Sequence, residues 1–184
     1  MTAGATVDRD ERLRLFCGLR LPEDVVERLA AWQRGHVHEG RIVPRENLHV
    51  TLAFLGGRPQ SEVEAVVAAL RDAAAAADPI ELDAVRYREG RSAGMLVLRD
   101  ESGSATRLAE DLQTRLEALG VYRREAREWL PHVTVVRFRE RPRLHPPLPE
   151  LGPIRPSDAA AYLSKLRQGG AEYVVLESVT LGGT

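Results

Sequence analysis

The 184-residue chain is long enough for one good-sized core, or for two small lobes sharing a groove, and its 43% hydrophobic and 29% charged residues are ordinary for a soluble globular protein. A formal net charge of −1 gives no global argument for long stretches of nucleic acid as partner. No apolar run approaches the roughly 20 residues a membrane helix needs, and the lone Cys17 excludes an intrachain disulfide or a cysteine zinc cluster. Of the 26 basic residues only Lys165 is a lysine and the other 25 are arginines. Arginine forks suit phosphate geometry, but an Arg-rich, Ala-rich, Lys-poor composition is the ordinary mark of a genome's codon bias.

The opening "MTAGATVDRDE" is polar and partly acidic, without an apolar signal-peptide core. It is expected to be a flexible leader over residues 1–11, with residues 12–184 forming a single domain and the protein residing in the cytoplasm, most simply as a monomer without protein partners. "RLRLFCGLRL" (12–21) alternates as a strand, with Leu13, Leu15 and Cys17 on one face. "LPEDVVERLAAWQRG" then predicts a helix, with Pro22 in its first turn and Gly35 as its stop. After a loop over 36–47, "NLHVTLAFLG" reads as a strand closed by Gly56 and Gly57. "PQSEVEAVVAALRDAAAAADP" (59–79) is a helix pattern with Ser61 as cap and Glu64 in capping-box register.

"IELDAVRYRE" and "GMLVLRDE" predict two strands joined at "GRSAG". "SATRLAEDLQTRLEALGV" (104–121) predicts an amphipathic helix with Leu108, Leu112, Leu116 and Leu119 on one stripe and Gly120 as its stop. "LPHVTVVRFR" is a second strand, and the Pro-rich stretch 141–156 is expected to wrap the surface without regular structure. Residues 157–166 have helical propensity, yet "RQGGAEY" after them reads as a hairpin turn before a last strand. The order is βαβα, two strands, αβ and a terminal element, and the repeated helix-then-strand rhythm suggests two related lobes.

Each lobe then contributes one awkward tripeptide: His49-Val50-Thr51 and His132-Val133-Thr134. Strand side chains alternate, so the His and Thr of each share a face while the valines point into packed lobes. A single His-x-Thr is ordinarily a satisfied histidine. Two copies in matching strands instead point to one groove holding two imidazoles and two hydroxyls. Two histidines suit paired acid–base chemistry near neutral pH, and two hydroxyls can hold phosphate oxygens between them. Candidate residues outside this pair are weaker. His36 and His38 with Glu39 are a loop group of the kind that is usually solvated, His145 reads as surface, and Tyr162, Tyr173 and Trp129 read as packing residues, with Trp129 a lesser candidate for the groove wall.

These two motifs resemble those of the 2H phosphoesterase superfamily, and more narrowly the RNA 2′,3′-cyclic phosphodiesterases historically called 2′-5′ RNA ligases. The resemblance extends over "RLFCGLRLPEDV", "VPRENLHVTLAFLG", "PHVTVVRF" and "SKLRQGGAEYVVL", from about residue 12 to 182. It implies an α+β domain of two lobes related by a rough twofold, with two mainly antiparallel sheets flanking a central groove and helices outside. It also implies that 157–166 is a strand of a terminal hairpin.

The activity implied is hydrolysis of a 2′,3′-cyclic phosphate, on RNA ends or nucleotides, to a 2′-phosphomonoester, with no metal or other cofactor. By resemblance His49 protonates the departing ribose O3′ and His132 deprotonates the attacking water. Thr51 and Thr134 bind the non-bridging oxygens, and Arg137 neutralises the phosphate. Alternatives are 2′-5′ RNA ligation, an ADP-ribose 1″,2″-cyclic phosphodiesterase activity, or a non-catalytic module that binds nucleotides or RNA ends. Two residues conflict with simple alternation. Arg137 and Phe54 each lie five positions after a histidine, which puts them on the opposite face. A bulge or the strand end must re-aim Arg137. Phe54 either stacks on a base or packs in the core, the core being the more ordinary place for it.

Overall fold

In the computed structural model, which describes residues 11–182, the first alternating run forms strand β1, Arg12–Arg20. Apart from Glu11 the expected leader lies outside the described residues. Helix α1, Glu23–His36, follows Pro22 and buries Val25, Val26, Leu29, Trp32 and Gln33. The short strand β2, Arg41–Ile42, and a 3-10 turn at Arg45–Asn47 lead into β3, His49–Pro59. Helix α2, Val63–Ala75, and strands β4, Asp83–Glu89, and β5, Ala93–Arg99, come next. Helix α3, Ser104–Ala118, then precedes β6, His132–Arg137. Strands β7, Asp158–Arg167, and β8, Gly170–Thr180, close the chain as a hairpin.

Three local expectations are corrected. Ser61 caps nothing: the chain enters α2 through a 3-10 turn at Gln60–Glu62, with the Val63 N–H already bonded to the Gln60 carbonyl. Leu119 is 47% exposed, because α3 ends at Ala118 and the residue beyond it leaves the buried stripe of Leu108, Leu112 and Leu116. Strand β3 also runs through Gly56 and Gly57 rather than ending there, since both pair with β1. Residues 158–167 are extended, as the family resemblance implied. They pair with β1 on one side and β8 on the other, and such central pairing overrides a weak helical preference.

The strands are antiparallel, in the order β4-β5-β6-β3-β1-β7-β8, with β2 beside β6. The ladder from β3 outward and the ladder from β6 outward meet through a single register pair, Val50 with Val133. The two expected sheets are therefore one curled eight-stranded sheet, whose halves join at that single pair because β3 and β6 continue the same ladder there. The helices cross over. α1 follows β1 of one half but its Gln33 Nε2 donates to the Val135 carbonyl of the other. α3 follows β5 of the second half but its Gln113 Nε2 donates to Leu52 O of the first. This exchange ties both halves to one core, in which Leu29, Leu70, Leu112, Val50 and Val133 all take part.

The Pro-rich segment wraps as expected, held by Trp32 Nε1 donating to Pro147 O and by a bridge between Leu82 and Ile154. Its start is tied to β4 by the buried Glu89, whose carboxylate accepts the N–H groups of Arg143 and Leu144. Burial alone would raise the Glu89 pKa, but these donors outweigh it and hold the carboxyl below its ordinary value. Among the described residues no helix is long and apolar enough to cross a membrane.

Candidate functional site

The Val50–Val133 pair sets the geometry of the site. Both valines face the core, so the residues flanking them face the groove. Continuing that antiparallel register places His49 across from Thr134 and Thr51 across from His132, at an inter-strand spacing of about 5 Å. The four side chains expected to converge from sequence thus line one groove of about 770 Å³, together with Phe54, Arg137, Arg14, Arg41, Arg167 and Tyr173.

The parity conflict at Arg137 and Phe54 resolves in the same way on both strands. On β6, Gly94 pairs with Val136 and Met95 with Thr134, leaving Val135 as an extra residue. On β3, Cys17 pairs with Ala53 and Gly18 with Thr51, leaving Leu52 as the extra residue. Each bulge sends two consecutive side chains inward, Val135 with Val136 and Leu52 with Ala53, all of them buried. The fifth residue after each histidine is thereby returned to the histidine's face. Arg137 needed such a bulge to face the groove, and it has one. Phe54 is 51% exposed and lines the groove, so a core role for it is ruled out. The two residues are twofold counterparts.

Each imidazole is held from behind by its own strand. The Nδ1–H of His49 donates to the Asn47 carbonyl at 2.7 Å, and that of His132 to the Leu130 carbonyl at 2.8 Å. A carbonyl only accepts, so the proton is fixed on Nδ1 and Nε2 is left for chemistry. His49 Nε2 lies 2.9 Å from Thr51 Oγ1. Its ring is also enclosed by aromatics, with Phe16 at 4.8 Å, Tyr173 at 5.5 Å and Tyr162 at 5.9 Å between centroids. Burial is the main cause that pushes the His49 pKa down to about 4. The nearby charges of His132 and Arg137 add to this, while the Asn47 hydrogen bond opposes it. Gly18 makes room for the ring: a Cβ there would meet Val50 O at 3.0 Å and His49 Cδ2 at 3.1 Å.

Several site residues were not singled out from the sequence. Arg14, Arg41 and Arg167 supply further positive charge around the groove. Asn47, nearly buried, anchors the β7–β8 hairpin by donating from Nδ2 to Ala171 O. Gln33 and Gln113 carried a findable signal, since each is a polar residue on an otherwise apolar helix stripe. Tyr173 packs on His49 and also lines the groove. Trp129 does not line it; its Nε1 donates to Thr51 O from within the fold. His36, His38 and Glu39 are not among the groove-lining residues, and among the described residues no three His, Cys, Asp or Glu side chains are grouped to hold a metal ion.

Comparison with known proteins places the family and the fold. A family model described as the 2'-5' RNA ligase superfamily matches residues 21–164. An RNA 2',3'-cyclic phosphodiesterase of Methanocaldococcus jannaschii is 24% identical over 129 residues, covering 69% of this chain and 72% of that protein. Among solved structures, E. coli LigT in its apo form superposes with a TM-score of 0.78 at 24% identity, covering 94% of this chain and 99% of that one. LigT complexed with 3'-AMP gives a TM-score of 0.80 at 22% identity, with 94% and 100% covered. A protein of Thermus thermophilus is 29% identical with a TM-score of 0.77, over 93% of this chain and 99% of its own.

Proposed function

The chain belongs to the 2'-5' RNA ligase superfamily of 2H phosphoesterases, and from that premise we propose that it hydrolyses 2′,3′-cyclic phosphate, on RNA ends or nucleotides, to a 2′-phosphomonoester without a metal ion. The observation that carries this reading is the meeting of two His-x-Thr pairs across Val50 and Val133, with Arg137 turned onto the same face by the β6 bulge. An in-line displacement at phosphorus needs a proton acceptor on one side and a donor on the other, and two histidines on adjacent strands supply both. The M. jannaschii relative, an RNA 2',3'-cyclic phosphodiesterase, supports the substrate class.

In this mechanism His132 takes a proton from the attacking water through Nε2. The new P–O bond forms as the P–O3′ bond breaks, and His49 gives its Nε2 proton to the departing O3′. The products are a 2′-phosphate and a free 3′-hydroxyl. Solvent exchange then returns both rings to their starting protonation. Thr51 and Thr134 donate hydroxyl protons to the non-bridging oxygens, and Arg137 neutralises their charge.

The acid role of His49 has a condition attached. In the free groove its burial keeps it neutral down to about pH 4. The substrate's phosphate anion, placed beside Nε2, favours the charged ring, and the Asn47 carbonyl behind Nδ1 stabilises it further. Substrate binding and the charging of the acid are then one event.

The test is to incubate the protein, in excess EDTA, with a dinucleotide ending in 2′,3′-cyclic phosphate and to identify the product. A 2′-phosphate is expected. A 3′-phosphate, or no turnover, would overturn the reading.

A further inference from the structure

The two bulges that re-aim Arg137 and Phe54 are each gripped by a buried glutamine from a helix of the opposite half. Gln33 Nε2 donates to Val135 O at 2.7 Å and to Val43 O at 3.1 Å. Gln113 Nε2 donates to Leu52 O at 2.9 Å. Val135 and Leu52 are the extra residues of their bulges, and each stands three positions after its histidine. Gln33 is 1% and Gln113 5% exposed. A bulge interrupts the ladder, so the carbonyl of its extra residue loses a cross-strand donor on the bulged side. Val135 O keeps the Val43 N–H at 3.1 Å, and in each bulge the glutamine adds a donor from a helix.

We propose that Gln33 and Gln113 are a twofold-related pair of positioning residues, each fixing the bulge that turns one residue into the groove: Gln33 for Arg137, and Gln113 for Phe54. Neither glutamine lines the groove, so each acts through the strand it holds. The chemistry of the side chain fits the task. An apolar residue at either place would pack equally well on its stripe but would leave a buried carbonyl without its side-chain donor. Gln33 Oε1 has no hydrogen-bond partner, so the amide N–H group alone supplies the contact that matters. The crossover of α1 and α3 also acquires a purpose, since the helix needed at each bulge arrives from the other half.

The inference rests on the proposed reaction only for its kinetic readout, so the test has two parts. Gln33→Met and Gln113→Met keep the volume and remove the donor. In the substrate-free protein, NMR of the Arg137 Nε–H should shift in Gln33→Met and not in Gln113→Met, and the Phe54 ring should show the reverse. In turnover of the cyclic dinucleotide, Arg137→Ala should cost on the order of tenfold less in kcat/KM when made in the Gln33→Met background than in the wild type. Phe54→Ala should show that loss of effect only with Gln113→Met.

Unchanged Arg137 and Phe54 signals in folded variants would overturn the proposal even if the protein proved inactive. So would single effects that simply multiply in all four combinations. A variant that does not fold leaves the other member of the pair to decide. Failure of both to fold would also count against the proposal, because the glutamines would then be general supports of the fold.

Discussion

The strand carrying His49 and the strand carrying His132 follow the same backbone path and are surrounded differently. Along His49–Phe54 and again along His132–Arg137 the residues run half-buried, buried, half-buried, buried, buried, exposed. Each has a bulge at its fourth residue, a glutamine on that bulge and a carbonyl behind its imidazole. The surroundings then diverge. His49 sits among Phe16, Tyr162 and Tyr173, and His132 has no such aromatic contacts among the described residues. The sixth residue is Phe54 on one side and Arg137 on the other. The shared path supplies two imidazoles in twofold-related places. The differing neighbours give them unequal environments, as the proposed donor and acceptor require.

Substitutions that touch one half test how far this division goes. Among substitutions that keep both histidines, the largest effect is expected from Gly18→Ala. The new methyl would press on the His49 ring and on Val50 O, and a shift of about 1 Å at a reacting group costs roughly a hundredfold in rate. Steady-state kinetics with thermal unfolding should show kcat falling far more than stability. Unchanged kcat would mean that the ring has no need of its close seat. Next comes Arg137→Ala, expected to lower kcat/KM by about tenfold to a hundredfold through lost phosphate stabilisation. Its counterpart Phe54→Ala should cost about tenfold, toward the lower end of what one base stack is worth. That smaller effect should vanish on a cyclic phosphate with no base, while the effect of Arg137→Ala should persist.

The smallest change is in protonation. A folded-state pKa lowered from 6.5 to about 4 means that His49 stabilises the fold fully above about pH 6.5. That contribution is lost as the pH falls toward 4. NMR titration of the His49 ring should find it neutral through that window in the free protein and shifted upward when inorganic phosphate is added. A ring that phosphate leaves neutral would instead suit the proton acceptor, and the two histidines would exchange roles.

Much of the site was legible because its chemistry is written in residue identity. Two His-x-Thr tripeptides on apolar strands have few other uses, and the valine between each pair located the groove face correctly. Apart from β2, which lies in the expected loop, and β7, which the family resemblance assigned, the element order also followed from periodicity and stop signals. What the sequence left open depends on strand pairing. Alternation puts Arg137 and Phe54 on the wrong face until the bulges at Val135 and Leu52 are known, and no residue type in those runs announces a bulge. The crossing of α1 and α3 to opposite halves was hidden too, so Gln33 and Gln113 could not be joined to the strands they hold. Residues 158–167 show local preference giving way to a place between two strands. Leu119 shows the reverse limit, a periodic pattern that continued past the end of its helix.

The most direct test of paired acid–base catalysis is to assay His49→Ala and His132→Ala on two substrates. One is an ordinary 2′,3′-cyclic dinucleotide, and the other has sulfur in place of the leaving O3′. On the ordinary substrate both variants should lose on the order of a thousandfold in kcat. A thiolate leaves without needing a proton, since thiols are much stronger acids than alcohols. The sulfur substrate should therefore restore His49→Ala and leave His132→Ala inactive. Near-wild-type turnover of the oxygen substrate by either variant would contradict the two-histidine account.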